Sequence, residues 1–253
     1  MLLQLLHTFT LFFYIVAFVG CGETPPMLKK GPGVVISNSS AEQRLYRHLL
    51  RNSDYLKMMR PVRNHTQPIT VKLGMCVMML EDVVERDQTM LMSVCIKMKW
   101  VDEFLRWNPE EFDDLQWMAL PVEDIWQPDI ALVNSAQPYA LTRKPAQADL
   151  LSDGSVGYYP AGRMATKCAL DITYFPFDYQ SCEVRFESWV YPAHALDIEE
   201  WDGEAAVDIK DVYPNHLWTI ASYYVIRDFI KYDELRFGRL KFVYEVSCFN
   251  LMH

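Results

Sequence analysis

Residues 168–182 read CALDITYFPFDYQSC. Two cysteines enclose 13 residues, with Phe-Pro-Phe-Asp (175–178) between them. The flanks alternate. In RMATKCALDI (163–172), Met164, Thr166, Cys168, Leu170 and Ile172 share one face. In CEVRFESWVY (182–191), Cys182, Val184 and Phe186 point inward, while Glu183, Arg185, Glu187 and Trp189 point outward. Both cysteines therefore occupy inward positions on strands whose connection must reverse direction. A disulfide there closes a 15-residue ring, worth about 3 kcal/mol on the chain-entropy account. Pro176 stiffens the turn. A staple explains the cysteines but not the tip, where Phe175 and Phe177 invite contact with another surface.

The same period of two extends outward. ITVKLGMCVMML (69–80) and TMLMSVCIKMKW (89–100) alternate around the polar turn VERDQ (84–88), which predicts a hairpin, and GRLKFVYEVSCF (238–249) alternates again. Before them, Ser40 followed by Gln43 offers a capping box, and Ala41, Leu45 and Leu49 recur at helical spacing. One helix over about 41–51 followed by short strands predicts an all-β sandwich forming a single domain over 23–253.

The 253 residues, 51% of them hydrophobic, are enough for a sizeable core. A formal charge of −9 repels polyanions, which argues against nucleic acid as a partner and allows steering of cations. Residues 1–22 read as a secretory signal, with an apolar run at Phe9–Val19 and small residues at Gly20–Gly22. The competing reading is an uncleaved anchor, but that run falls short of the ~20 residues a span needs. Beyond it the longest apolar run is LGMCVMML (73–80), so no membrane span is expected. Sequons at Asn38 and Asn64 fit a secreted, glycosylated chain.

A Cys-x13-Cys segment containing Phe-Pro-Phe-Asp resembles the signature of the Cys-loop family of pentameric ligand-gated channels. LYRHLLRNSDYLKMMRPVRN (45–64) resembles that family's first helix and the segment after it, and KMKWVDEFLRWNPEEF (97–112) its second strand with a Trp-x-Asp pattern. DIWQPDIALVNSA (124–136) resembles the Trp-x-Pro-Asp loop, and FESWVY (186–191) the tryptophan strand. The similarity is closest to nicotinic receptor extracellular domains and the soluble acetylcholine-binding proteins. It implies a ten-strand immunoglobulin-like sandwich with one N-terminal helix, assembled as a homopentamer with small-molecule sites between subunits. Two readings stay open: a secreted binding protein, or the extracellular part of a channel subunit.

In the family, aromatic rings cage a cationic amine. The resemblance implies Trp189, Tyr232, Phe237 and Val133 on the principal side, and Cys95, Lys97, Asp149, Gly157 and Tyr159 on the complementary side. Trp189 is also singled out by its place on a polar strand face, where a large ring needs a partner, a ligand or a covering loop. Val133 and Cys95 stand where acetylcholine-binding members carry rings, and the hairpin around Tyr232 lacks their adjacent cysteine pair. Losing two rings removes on the order of 1–4 kcal/mol of cation binding, so weak quaternary-amine affinity is expected. Lys97 and Asp149 add charge suited to a zwitterionic ligand.

Cys76 and Cys95 fall nearly opposite on the first hairpin and form either a second disulfide or two free thiols. The acidic run LDIEEWDGEAAVDIKD (196–211) reads as a solvated loop without calcium-loop spacing. No metal or other cofactor is expected. The histidines are scattered, and neither His-Glu-x-x-His, a phosphate-cradling Gly-rich loop nor Gly-x-Ser-x-Gly is present, which argues against an enzyme.

Overall fold

The hairpin read from the first alternating pair is the spine of the larger sheet. In a computed structural model, β1 (Ile69–Val84) and β2 (Thr89–Val101) run antiparallel through the polar turn at Glu85–Gln88. Residues 39–137, 147–171, 173, 179–202 and 206–248 are described. The leader at 1–22, Asn38, Ile172 and the Phe-Pro-Phe-Asp tip lie outside the described residues.

Ser40 caps the first helix, its Oγ accepting the Gln43 N–H at 3.3 Å. The helix α1 (Ala41–Tyr46) then widens into a π-helical turn over Arg47–Arg51, so the segment spans the expected residues at a changed pitch. Leu45 and Leu49 are its buried face, at 0% and 4% exposure.

The remaining strands are β3 (Trp117–Pro121), β4 (Ile130–Leu132), β5 (Gln147–Leu151), β6 (Ser155–Tyr158), β7 (Ala161–Lys167), β8 (Tyr179–Ser188), β9 (Leu196–Glu200), β10 (Val207–Asp208), β11 (Trp218–Tyr232) and β12 (Leu235–Cys248). They build two sheets. One has eight strands in the order β10-β1-β2-β6-β5-β3, with β7 also pairing β2 and β9 also pairing β1; the other has four, β11-β12-β8-β4. The twelve segments amount to ten paths, because two paths are interrupted. Pro160 has no N–H to give and separates β6 from β7, which pair successive stretches of β2. Likewise β9 and β10 pair successive stretches of β1.

The inner faces of the sheets meet in one core. Val71, Leu73, Met75, Val77, Val94 and Ile96 come from the first hairpin, and Val184, Phe186, Leu240 and Phe242 face them from the second sheet. Phe186 and Phe242 pack edge-on, centroids 6.0 Å apart. Cys168 and Cys182, both buried, are joined as a disulfide. The Cys168 N–H donates to the Gln88 carbonyl at 2.9 Å, so the first hairpin's turn holds the start of the stapled segment.

The acidic run is not a solvated loop. Its apolar residues Leu196, Ile198 and Val207 are buried because β9 and β10 extend the sheet alongside β1. Three of its carboxylates are paired: Asp197 with Arg227, Asp202 with Lys72 and Asp208 with Lys97.

Candidate ligand site

Trp189 lies immediately beyond the end of β8 and is 73% exposed. It is not sealed inside its own chain. Asp129, closing the Trp-x-Pro-Asp motif, holds this loop from three directions. Its carboxylate accepts the Ser188 hydroxyl at 2.6 Å and the Val190 N–H at 2.7 Å, and its carbonyl accepts the Trp189 N–H at 3.2 Å. Charge-assisted bonds of this kind are roughly twice as strong as neutral ones, so the indole projects from a fixed backbone. Val133, 37% exposed, follows β4 and donates its N–H to the Arg185 carbonyl at 3.0 Å.

The β11–β12 hairpin carries the other residues expected on the principal side. It turns tightly at Asp233, which takes φ 51°, and pairs Tyr232 with Leu235 and Ile230 with Phe237. The Tyr232 and Phe237 rings meet edge-on at 5.6 Å. Tyr232 is 52% exposed and Phe237 only 9%, so the tyrosine presents its ring while the phenylalanine backs it.

Glu187 departs from the strand-parity expectation: it is 4% exposed rather than outward. The hairpin lies over it, with the Tyr232 hydroxyl 3.4 Å from Oε2 and Arg239 Nη1 3.6 Å from Oε1. Arg239 is bound more closely to Asp228, donating from Nε at 2.7 Å and Nη2 at 2.8 Å, and Lys241 adds a third cationic contact at 2.8 Å. These donors, Arg239 foremost, pull the Asp228 carboxyl down to about 2. A charge ladder of Lys241, Asp228, Arg239 and Glu187 thus ends at Tyr232. Its longest contact is Arg239 to Glu187, at 3.6 Å, which leaves Glu187 the least compensated charge.

The complementary residues lie on the other sheet. Cys95 and Lys97 are on β2, Asp149 on β5, Gly157 on β6, and Tyr159 follows β6. Gly157 is a seat: a Cβ there would stand 2.7 Å from the Tyr159 Oη. Tyr159, 40% exposed, meets Trp201 edge-on at 6.3 Å. Burial pushes the Tyr159 hydroxyl up, with Asp149 adding to it. Lys97 is not a bare charge, since Asp208 sits 3.4 Å from its ammonium. Asp208 is held below the usual carboxylate range by the Lys210 amide and by Lys97.

Grooves of about 440, 420 and 410 Å³ open in this chain, and none is lined by any of these nine residues. The two sets occupy different sheets, each on an open surface.

Residues 42–244 match the family model described as neurotransmitter-gated ion-channel ligand binding domain. The chain belongs to this family. The neuronal acetylcholine receptor subunit alpha-2 of Gallus gallus is 39% identical over 180 residues, 71% of this chain and 33% of the relative. The Homo sapiens alpha-2 subunit is 36% identical over 197 residues, 78% of this chain and 36% of the relative. The Mus musculus alpha-2 subunit is 34% identical over 221 residues, 87% of this chain and 42% of the relative. The chain thus spans about a third to two-fifths of the length of these relatives.

Three residues of this ligand-binding domain enter the site geometry without having been given a role from sequence. Asp129 was visible as the last residue of a quoted motif, but its grip on the Trp189 loop was not. Glu187 shares strand parity with Trp189, and that was its only signal. Trp201 was hidden in the acidic run, and its ring contact with Tyr159 depends on β9 following β1. Asn64 is exposed, its side-chain oxygen accepting the Thr66 N–H and hydroxyl at 3.1 and 2.7 Å. Among the described residues no helix is long and apolar enough to cross a membrane.

Proposed function

We propose that this chain is an extracellular ligand-binding subunit of a homopentamer, taking a small ammonium-bearing ligand in the seam between neighbours. The observation that carries this reading is the exposed Trp189, fixed by Asp129, on the sheet whose hairpin presents Tyr232 over the buried Glu187. One surface cannot enclose a ligand. A cage needs the Trp189 surface of one subunit against the Lys97–Tyr159 surface of the next.

The chemistry selects the amine. Cation–π attraction contributes about 0.5–2 kcal/mol per well-placed ring, and Trp189 and Tyr232 supply two rings. Glu187, buried under Tyr232, adds a negative field that favours an ammonium over an uncharged ligand. Lys97, partly released from Asp208, would meet a ligand carboxylate, so a zwitterion suits the seam. Val133 and Cys95 weaken binding of acetylcholine-like cations.

Exposed rings also support assembly. Tyr224 and Phe229 on edge strand β11 and Trp117 on edge strand β3 are each more than 40% exposed. Large exposed apolar groups along sheet edges are what subunit contacts cover.

A second reading is favoured by the relatives, which are receptor subunits about two and a half to three times longer than the matched region. In it, the same module is the extracellular part of a channel subunit, and the seam chemistry is unchanged. Light scattering on the secreted chain tests the assembly, with a pentamer expected; a stable monomer would end the proposal. Calorimetry with primary, quaternary and zwitterionic amines tests the ligand class, and tight binding of quaternary amines alone contradicts it.

A further inference from the structure

Cys76 and Cys95 face each other across the β1–β2 ladder as half-buried free thiols. The backbone fixes the kind of pair they form. The Met75 N–H leaves the hairpin on one side for the Ala206 carbonyl at 2.6 Å, and the Ile96 N–H leaves it on the other for the Pro160 carbonyl at 2.8 Å. Direction alternates along a strand, so Cys76 and Cys95 turn their peptide groups toward each other. Such a hydrogen-bonded pair has Cα atoms about 5.5 Å apart, inside the roughly 4.4–6.8 Å span that a disulfide bridges, while its Cβ atoms stand wider than the roughly 3.5–4.5 Å of a relaxed bridge, so a bond closed here is strained and easily reduced. The nearest register shift begins beyond Val77, so the pair lies in regular ladder.

Directly opposed residues share a face, and here it is the face away from the core, because the neighbouring pair Met75 and Ile96 is 0% and 1% exposed. The Cys95 sulfur lies 3.7 Å from the Tyr159 carbonyl oxygen. Among the described residues no three His, Cys, Asp or Glu side chains gather as a metal set. What the pair offers is a dithiol.

We propose that Cys76 and Cys95 are a reversible dithiol–disulfide site on the Tyr159 face, closed by exchange with a low-molecular-weight disulfide such as oxidised glutathione. One protein thiolate attacks the external disulfide, forming a mixed disulfide and releasing one thiol. The second protein thiolate then attacks the protein sulfur of that bond, forming the Cys76–Cys95 bond and releasing the second thiol. Two protein thiols are oxidised, and one external disulfide is reduced to two thiols. Accessibility separates this pair from Cys168–Cys182, whose members are 3% and 0% exposed. Exposed bridges are the labile ones, whereas buried structural bridges resist the glutathione pool. Burial pushes both thiols up, with Asp208 adding at Cys76 and Cys76 adding at Cys95 against the opposing Lys97, so exchange is slow near neutrality. Closure ties β1 to β2 beneath Tyr159 and beside Lys97, on the chain itself and whether or not a ligand binds.

The test equilibrates the purified chain in glutathione buffers of graded ratio, followed by non-reducing digestion and mass spectrometry. The expected result is a Cys76–Cys95 cross-link at oxidising ratios that opens at ratios leaving Cys168–Cys182 linked. Phenylarsine oxide, which requires two thiols, should bind the reduced chain in one equivalent and lose that binding in Cys95→Ser. The wild-type titration needs no variant, so a folding defect in Cys95→Ser leaves the answer intact. Glutathione adducts on both cysteines without closure, no cross-link at any ratio, or a cross-link opening only together with Cys168–Cys182 each overturn the proposal.

Discussion

The Tyr232 hydroxyl lies 3.4 Å from a Glu187 carboxylate that is almost wholly buried, two residues before the exposed Trp189. A charge kept there must be balanced, and Arg239 balances it only loosely at 3.6 Å while gripping Asp228 at 2.7 Å. Glu187→Gln removes the negative end of the ladder and keeps its shape. A buried unit charge acting at roughly 8 Å through an effective dielectric of about 20 contributes about 2 kcal/mol, so affinity for primary and quaternary amines alike should fall roughly thirtyfold. Calorimetry on both ligands checks this, and unchanged affinity for both would mean that Arg239 already neutralises Glu187.

Asp129 makes a separate demand. Its two carboxylate oxygens are committed to Ser188 and Val190, at 2.6 and 2.7 Å, and Ser188 in turn accepts the Tyr191 N–H at 2.9 Å, so one carboxylate sets the loop bearing Trp189. Asp129→Ala strands both donors. We expect a stability loss of about 1–3 kcal/mol, read from urea unfolding, together with ligand affinity reduced more than stability alone explains. Unchanged affinity in a destabilised variant would show that the loop holds its shape without the clasp.

Asp102 carries the pH dependence. It is 0% exposed, accepts the Tyr55 hydroxyl at 2.6 Å and the Phe104 N–H at 3.0 Å, and burial raises its carboxyl to about 6. A carboxyl raised in the folded state favours folding while protonated, so its stabilisation is complete below about pH 4 and is lost as pH rises through about 6. From its ordinary value of 3.8, the largest effect is about 3 kcal/mol. Asp228, held down to about 2, titrates below this window. Urea unfolding from pH 4 to 7 should therefore show wild type losing stability relative to Asp102→Asn. Parallel curves would place the titration elsewhere.

The fold was legible because its signals are local. Alternation in 69–80 and 89–100 fixes a buried face that a one-residue slip would turn to solvent, and Cys168 and Cys182 fall on inward positions of strands that must reverse. Trp189 was legible for the converse reason, as a large ring on a polar face. Glu187 was not, since what buries it is a hairpin some 45 residues later in the chain. The run 196–211 was misread because β9 and β10 are parallel to β1, and pairing over that distance leaves only short apolar signals among the carboxylates.

The two missing rings give the last prediction. Val133 is 37% exposed beside Arg185 on the strand that leads to Trp189, and Cys95 is half-buried next to Tyr159, so both positions border open surface on which a larger side chain can spread. If these surfaces face each other across a subunit seam, Val133→Tyr and Cys95→Trp each restore one wall of a cation cage. A well-placed ring adds about 0.5–2 kcal/mol, which is roughly a twofold to thirtyfold gain per substitution. The double variant should then bind tetramethylammonium or acetylcholine up to about a thousandfold more tightly than wild type. Because the two positions lie on different sheets of one chain, a monomer can gain from neither in combination. Calorimetry paired with light scattering separates the cases: a gain that grows with pentamer content places both rings in one seam, whereas a pentamer that shows no gain removes Cys95 and Val133 from the ligand surface.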